Sequence, residues 1–135
     1  MASCIFTKGL EQMDEVLEMV EEAMSSTGFS GKAKSQVLLA TEEVYCNIAN
    51  YAYESGDCRV QISCEISKNP LSIAIEFMDS GTPFNPLQVS EPDVLAEIQE
   101  REAGGLGIFL VRKIMDDVNY DYRDGNNILI IKKRA

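Results

Sequence analysis

The chain has 135 residues, 45% hydrophobic and 25% charged, the proportions of one soluble domain with a single core and not of a disordered chain. Twelve Lys and Arg stand against 22 Asp and Glu, a net charge of −10 that argues against nucleic acid and anionic membrane as partners, since no basic stripe offsets it. The chain has no histidine, which excludes imidazole metal sites and every mechanism that needs a His base.

From the N-terminus, residues 3 to 8 read as a short strand. Leu10, Met13, Val16, Leu17, Val20 and Met24 then recur at helical spacing, with Glu11, Asp14, Glu15, Glu18, Glu21 and Glu22 on the other side, up to Ser26-Thr27-Gly28. An acidic helix in this place, with no apolar run near the roughly 18 residues of a spanning segment, is not a signal peptide or an anchor, and the expected location is cytoplasmic. A second and longer helix is predicted from the cap-like Ser30-Gly31 to about Tyr53. Cys58 to Ile66 and Leu71 to Phe77 alternate at period two around Lys68-Asn69-Pro70, an antiparallel hairpin closed by Asp79-Ser80-Gly81. The four cysteines (Cys4, Cys46, Cys58, Cys64) form no C-x-x-C pair and are read as reduced thiols, Cys58 and Cys64 as core.

From Thr82 to Gly105 the chain carries Pro83, Pro86 and Pro92 and then a charged segment without an apolar face, a long connection of the functional or mobile kind. Residues 107 to 117 read as a helix, and 118 to 123 and 127 to 133 as strands around an Asp124-Gly125 turn. The order β-α-α-β-β-loop-α-β-β predicts an α+β fold, a two-layer α/β sandwich whose mixed, mostly antiparallel sheet is covered on one face by helices. It is expected to form a single domain over 1–135. Neither a G-x-G-x-x-G nor a G-x-x-x-x-G-K-[ST] follows a strand, so Rossmann and P-loop arrangements are set aside.

Three constellations carry chemistry. Glu43, Asn47 and Asn50 fall at i, i+4 and i+7 of the long helix, one polar stripe whose oxygens suit Mg²⁺ and whose carboxylate could take a proton; a stripe facing water has the same spacing. Asp79 and Gly81 end an apolar strand, where a carboxylate could accept from an exocyclic amine and a glycine permits close approach to a flat ring; D-x-G is also a common strand-ending turn. Gly104-Gly105-Leu106-Gly107 opens a helix, where converging N–H groups form an anion site or, equally, a glycine-rich hinge.

In this order, E-x-x-x-N on a helix, D-x-G after a strand and G-x-G before a helix resemble the Bergerat-fold ATP-binding (GHKL) superfamily. Within it, Asp79-Ser-Gly-Thr-Pro-Phe-Asn-Pro86 and Gly104-Gly-Leu-Gly-Ile-Phe-Leu-Val-Arg-Lys-Ile-Met-Asp116 are similar to the stand-alone anti-sigma-factor serine/threonine kinases of bacteria, over about residues 5 to 133. The resemblance implies ATP and Mg²⁺ as cofactors. Glu43 would be the catalytic base and Asn47 the Mg²⁺ ligand, with Asn50 on the same stripe. Asp79 would read adenine beside Gly81, and Gly104, Gly105, Leu106 and Gly107 would wrap the phosphates. About 82–103 would be the ATP lid, with Arg101 reaching the γ-phosphate. Where relatives carry His or Gly after the Asn this chain has Tyr51 and Ala52, and where several place a Thr in the last hairpin it has Asn126 and Asn127, of which Asn127 can replace the hydroxyl at adenine. The implied partners are a sigma factor or similar target and a STAS-domain antagonist phosphorylated on serine, with a homodimer to which Ile5 and Phe6 contribute. A non-catalytic, ATP-binding sequestering module and an ATPase switch are the rival functions.

Overall fold

A computed structural model describes residues 2–52, 59–81, 83, 85–88 and 105–135. Five strands, β1 (Ala2–Phe6), β2 (Val60–Ser67), β3 (Ser72–Asp79), β4 (Asp117–Arg123) and β5 (Asn126–Arg134), form one sheet in the order β1-β2-β3-β5-β4. Every ladder in it is antiparallel, so the sheet has no parallel component among the described residues. Three α-helices, α1 (Met13–Met24), α2 (Gly31–Asn47) and α3 (Gly105–Ile114), complete the α+β sandwich.

Period-two patterning decides which face of the sheet the helices cover. Ile62 and Cys64 of β2, Ile73, Ile75 and Phe77 of β3, and Leu129 and Ile131 of β5 are buried together with Val16, Val20 and Met24 of α1 and Val37, Ala40 and Val44 of α2. Burial pushes the Cys64 thiol up to about 11, which makes it the inert core cysteine that its alternation predicts. Cys4, Cys46 and Cys64 are all free thiols, and Cys58 lies outside the described residues. The opposite face carries a groove lined by Ser63, Glu65, Glu76 and Lys132 together with Ala74 and Ile130.

Local signals set the element ends. The Ser30 hydroxyl accepts from the Ala33 N–H at 3.1 Å and caps α2. The Asp124-Gly125 turn has φ of 53° and 78°, the positive pair that a two-residue hairpin of matching twist demands and that Gly supplies without strain. The long helix departs from its predicted course at its end: the α-helical part stops at Asn47, and Ile48–Ala52 continue as a wider π-helical turn. Two ties hold the helical layer to its surroundings. The Tyr45 hydroxyl of α2 donates to the Gly9 carbonyl at 2.7 Å, and Lys133 of β5 donates to the Ile114 carbonyl at 2.8 Å, holding the C-terminal end of α3 against the sheet.

Candidate functional site

A cleft opens between the C-terminal half of α2 and the end of the sheet where β3 stops and β5 starts. Its walls are apolar, from Val44, Ile48, Phe77 and Leu129, and three polar side chains, Asn47, Asp79 and Asn127, converge on it. Few polar groups on a mostly apolar wall is the composition of a small-molecule site.

Asp79 lines the cleft, only 5% exposed. Its Oδ1 accepts from the Gly81 N–H at 2.9 Å and from Asn127 Nδ2 at 3.1 Å. Asn127 is its direct cross-strand partner on β5, 6% exposed, and the same Nδ2 reaches the Gly81 carbonyl at 3.3 Å. The Tyr120 hydroxyl of β4 in turn donates to Asn127 Oδ1. Burial pushes the Asp79 carboxyl above the ordinary aspartate range, while the bonds from Asn127 and Gly81 pull it back. Oδ2 has no bond among the described residues, which leaves one acceptor lone-pair set facing the cleft.

On α2, Glu43 and Asn47 lie one turn apart. Asn47 is 7% exposed and lines the cleft, yet its amide has no partner among the described residues. A buried amide costs of order 1–3 kcal/mol to leave unpaired, so its vacancy points to a ligand atom. Glu43 is half-buried, and burial first and the neighbouring Glu42 charge second push its carboxyl up. The first turn of α3 is stacked on it so closely that a Cβ built on Gly107 would meet Glu43 Oε2 at 2.2 Å. Gly107 is therefore a glycine of close approach that places the start of α3 beside the carboxylate.

Of the residues expected on one stripe, Asn50 does not join the cleft. It lies in the π-helical turn, is exposed, and donates to Cys46 Sγ at 3.2 Å. The wider turn takes it off the α-helical stripe that Glu43 and Asn47 share. Gly105 and Leu106 lie in the first turn of α3. Arg101, Gly104 and most of the expected lid fall outside the described residues. Within that segment Pro86–Gln88 form a short 3₁₀ turn, and Pro86 lines the cleft.

Tyr120 and Pro86 were not among the residues expected at the site. The signal for Tyr120 lay in the two-residue hairpin, which fixes the β4–β5 register and sets Tyr120 opposite Leu129, diagonal to Asn127 and on its face. The described residues contain no group of three or more His, Cys, Asp or Glu able to hold a metal, and no helix long and apolar enough to cross a membrane.

Comparison with known proteins agrees with this fold. The chain is 27% identical to the serine-protein kinase RsbW of Listeria monocytogenes over 113 residues, 80% of this chain and 71% of the relative. It is 23% identical to the serine/threonine-protein kinase BtrW of Bordetella bronchiseptica over 121 residues, 90% and 84% of the two chains. Among solved structures, the RsbU and RsbW domains of a Mycobacterium tuberculosis protein superpose with a TM-score of 0.65 at 9% identity, covering 99% of this chain but only 32% of that one. A chain of the SiaB–SiaC complex of Pseudomonas aeruginosa superposes with a TM-score of 0.52 at 12% identity, covering 98% and 89%. Residues 6–133 match the model of one family along nearly the whole chain, and the protein is a member of the histidine kinase-like ATPase domain family.

Proposed function

We propose that this chain is an ATP-dependent serine/threonine protein kinase of the anti-sigma type, which binds Mg·ATP in the α2–sheet cleft and phosphorylates a serine of a STAS-domain antagonist. The observation that carries the reading is the pairing of two unsatisfied groups in one cleft: a buried carboxylate with an open Oδ2 at one end, and a buried, unpartnered amide one helical turn from a carboxylate at the other. Two named protein kinases among its relatives support transfer to a hydroxyl.

In this reading Asp79 Oδ2 accepts from the exocyclic amine of adenine, with Gly81 and Asn127 beside the ring. The first turn of α3, Gly105 to Gly107, offers its free N–H groups and positive dipole end to the phosphates, joined by Gly104 and by Arg101 from the lid. Asn47 supplies an oxygen ligand of the kind Mg²⁺ takes when most of its shell is water and phosphate, and the bound ion neutralises charge on the phosphates. Glu43 accepts the proton of the attacking serine hydroxyl, for which a raised carboxyl pKa is an advantage because it brings the base nearer to working pH. Phosphoryl transfer demands mainly placement and charge neutralisation of the protein, which fits a site of so few polar groups. We place the protein in the cytoplasm, as one domain over 1–135 with a lid at 82–103, pairing as a homodimer and binding a sigma factor or similar target.

The test is transfer of label from γ-³²P ATP, with and without a purified STAS-domain protein encoded in the same genome. Label on a serine of that protein is the expected result. Labelled free phosphate alone would make the chain an ATPase switch, and ATP-dependent binding of a partner without any transfer would make it a sequestering module.

A further inference from the structure

We propose that Tyr120 is a specificity-determining positioning residue: its hydroxyl braces the Asn127 amide that, with Gly81, occupies Asp79 Oδ1, so that Oδ2 is left as the acceptor for a purine bearing a 6-amino group. The inference rests on the nucleotide reading above and goes beyond it, since neither Tyr120 nor any residue of β4 is assigned a role there.

An amide has one accepting and one donating end, and its direction in a buried site decides what its neighbours can do. Asn127 Nδ2 faces two acceptors, Asp79 Oδ1 at 3.1 Å and the Gly81 carbonyl at 3.3 Å, and its Oδ1 faces a donor, the Tyr120 hydroxyl. Turned over, the amide would set its oxygen against a carboxylate and a carbonyl, three acceptors together, so Asp79 Oδ1 and the Gly81 carbonyl select this rotamer. The Tyr120 hydroxyl, which can donate or accept, then ties down the other end of the amide. With Oδ1 of Asp79 taken by Gly81 and Asn127, the acceptor left on that carboxylate is Oδ2. An exocyclic NH₂ satisfies it, whereas the O6 of a 6-oxopurine meets it acceptor to acceptor, and a site of buried polar groups rejects a ligand that leaves them unpaired far more strongly than an apolar pocket does.

Without the Tyr120 hydroxyl, Asn127 Oδ1 loses that donor at a residue only 6% exposed, and one of the bonds that hold the amide is gone. Tyr120 acts through Asn127 and not on the ligand's amine, so its effect is confined to ligands that carry that amine.

The experiment is calorimetric titration of the wild type and Tyr120→Phe with ADP and with purine riboside 5′-diphosphate, which has hydrogen in place of the 6-amino group. The wild type is expected to bind ADP at least about tenfold more tightly than the analogue. Tyr120→Phe keeps the ring in the cleft wall, and is expected to weaken ADP by about fivefold to tenfold while moving the analogue by less than about twofold. In an Asn127→Ala background, Tyr120→Phe is expected to change neither ratio further, because the group it acts through is gone. Equal weakening of both ligands would make Tyr120 a wall residue only, and no weakening of either would remove it from the site; both overturn the inference and leave the nucleotide reading standing. A wild type that binds the two ligands equally, or neither, overturns the adenine reading itself and the inference with it.

Discussion

The two ends of the cleft differ in how they are held. At the sheet end, Asp79 is fixed by a backbone N–H, by a cross-strand amide and, through that amide, by a tyrosine hydroxyl. At the helix end, Glu43 and Asn47 make no side-chain hydrogen bond among the described residues; Glu43 is only packed against Gly107, and Asn47 is buried. The sheet end is organised before a ligand arrives. The helix end is left for the ligand to complete. Recognition gains from rigidity because less ordering is needed on binding, whereas a group that acts on a reacting ligand gains from bonds that are made only when the reacting parts are present.

The sharpest way to break this contrast is at Glu43. Glu43→Gln keeps the shape and removes the proton acceptor, so transfer to a serine substrate should fall by about 10²-fold or more while ADP affinity stays within about twofold; single-turnover labelling beside calorimetry checks both. The pH profile adds a signature. Because burial and Glu42 raise the Glu43 carboxyl, the wild-type rate should fall in acid with a midpoint above the ordinary glutamate value of 4.5, and the Gln variant should lack that limb.

Asp79→Asn attacks the other end. Replacing the carboxylate by an amide, whose donor end can face the adenine amine, should weaken ADP by about 1–3 kcal/mol, roughly 5- to 150-fold. Its stability should change in the opposite sense. A carboxyl whose folded pKa is raised holds its proton more tightly when folded, so its contribution to stability is full below the ordinary value of 3.8 and is lost as pH rises through the folded value. The difference in Tm between variant and wild type should therefore move in the variant's favour as pH is raised from 3 to 7 in thermal melts.

A smaller effect is expected at Gly107. An alanine there meets Glu43 Oε2 at 2.2 Å and Cδ at 3.1 Å, so the carboxylate must swing aside, and transfer should drop by about tenfold. In the Glu43→Gln background the same change should add little, and the pair measured as a double-mutant cycle gives the coupling.

The smallest effect distinguishes the two ends most directly. Asn47→Ala removes no bond among the described residues and places a better helix former on α2, so stability should be unchanged or rise by up to about 0.7 kcal/mol, while Mg·ATP binding weakens. At the sheet end Asn127→Ala should instead cost about 1–3 kcal/mol, since it leaves Asp79 Oδ1, the Gly81 carbonyl and Tyr120 each short of a partner. Urea unfolding of the two variants side by side measures the difference.

What the chain reveals in its sequence follows from the range of the interaction concerned. Asp79 was legible because an alternating strand ends on it, and Glu43 and Asn47 because four residues is one helical turn. Asn50 was misplaced by the same rule, since nothing in Ile-Ala-Asn-Tyr-Ala announces a π-turn, and the regular helical period was carried three residues too far. The mostly antiparallel sheet expected from the element order was legible, and only its mixed component is missing among the described residues, because strand pairing is long-range and a linear pattern does not encode it. Tyr120 went unnoticed because its contact with Asn127 runs diagonally between strands and becomes visible only once the register is known.

That register has a consequence for how the chain guards against misfolding. Asp79 and Asn127 face each other across β3 and β5, next to the core pairs Phe77 with Leu129 and Ile75 with Ile131. Sliding β3 by one residue would turn Ile73, Ile75 and Phe77 to the other side together with Asp79, and bring Ala74, Glu76 and Met78 inward. A slip of β3 therefore loses core packing and the carboxylate together. β5 carries Ile128 and Ile130 on its other face, so it is the pattern of β3 that guards the register and, with it, the place of Asp79.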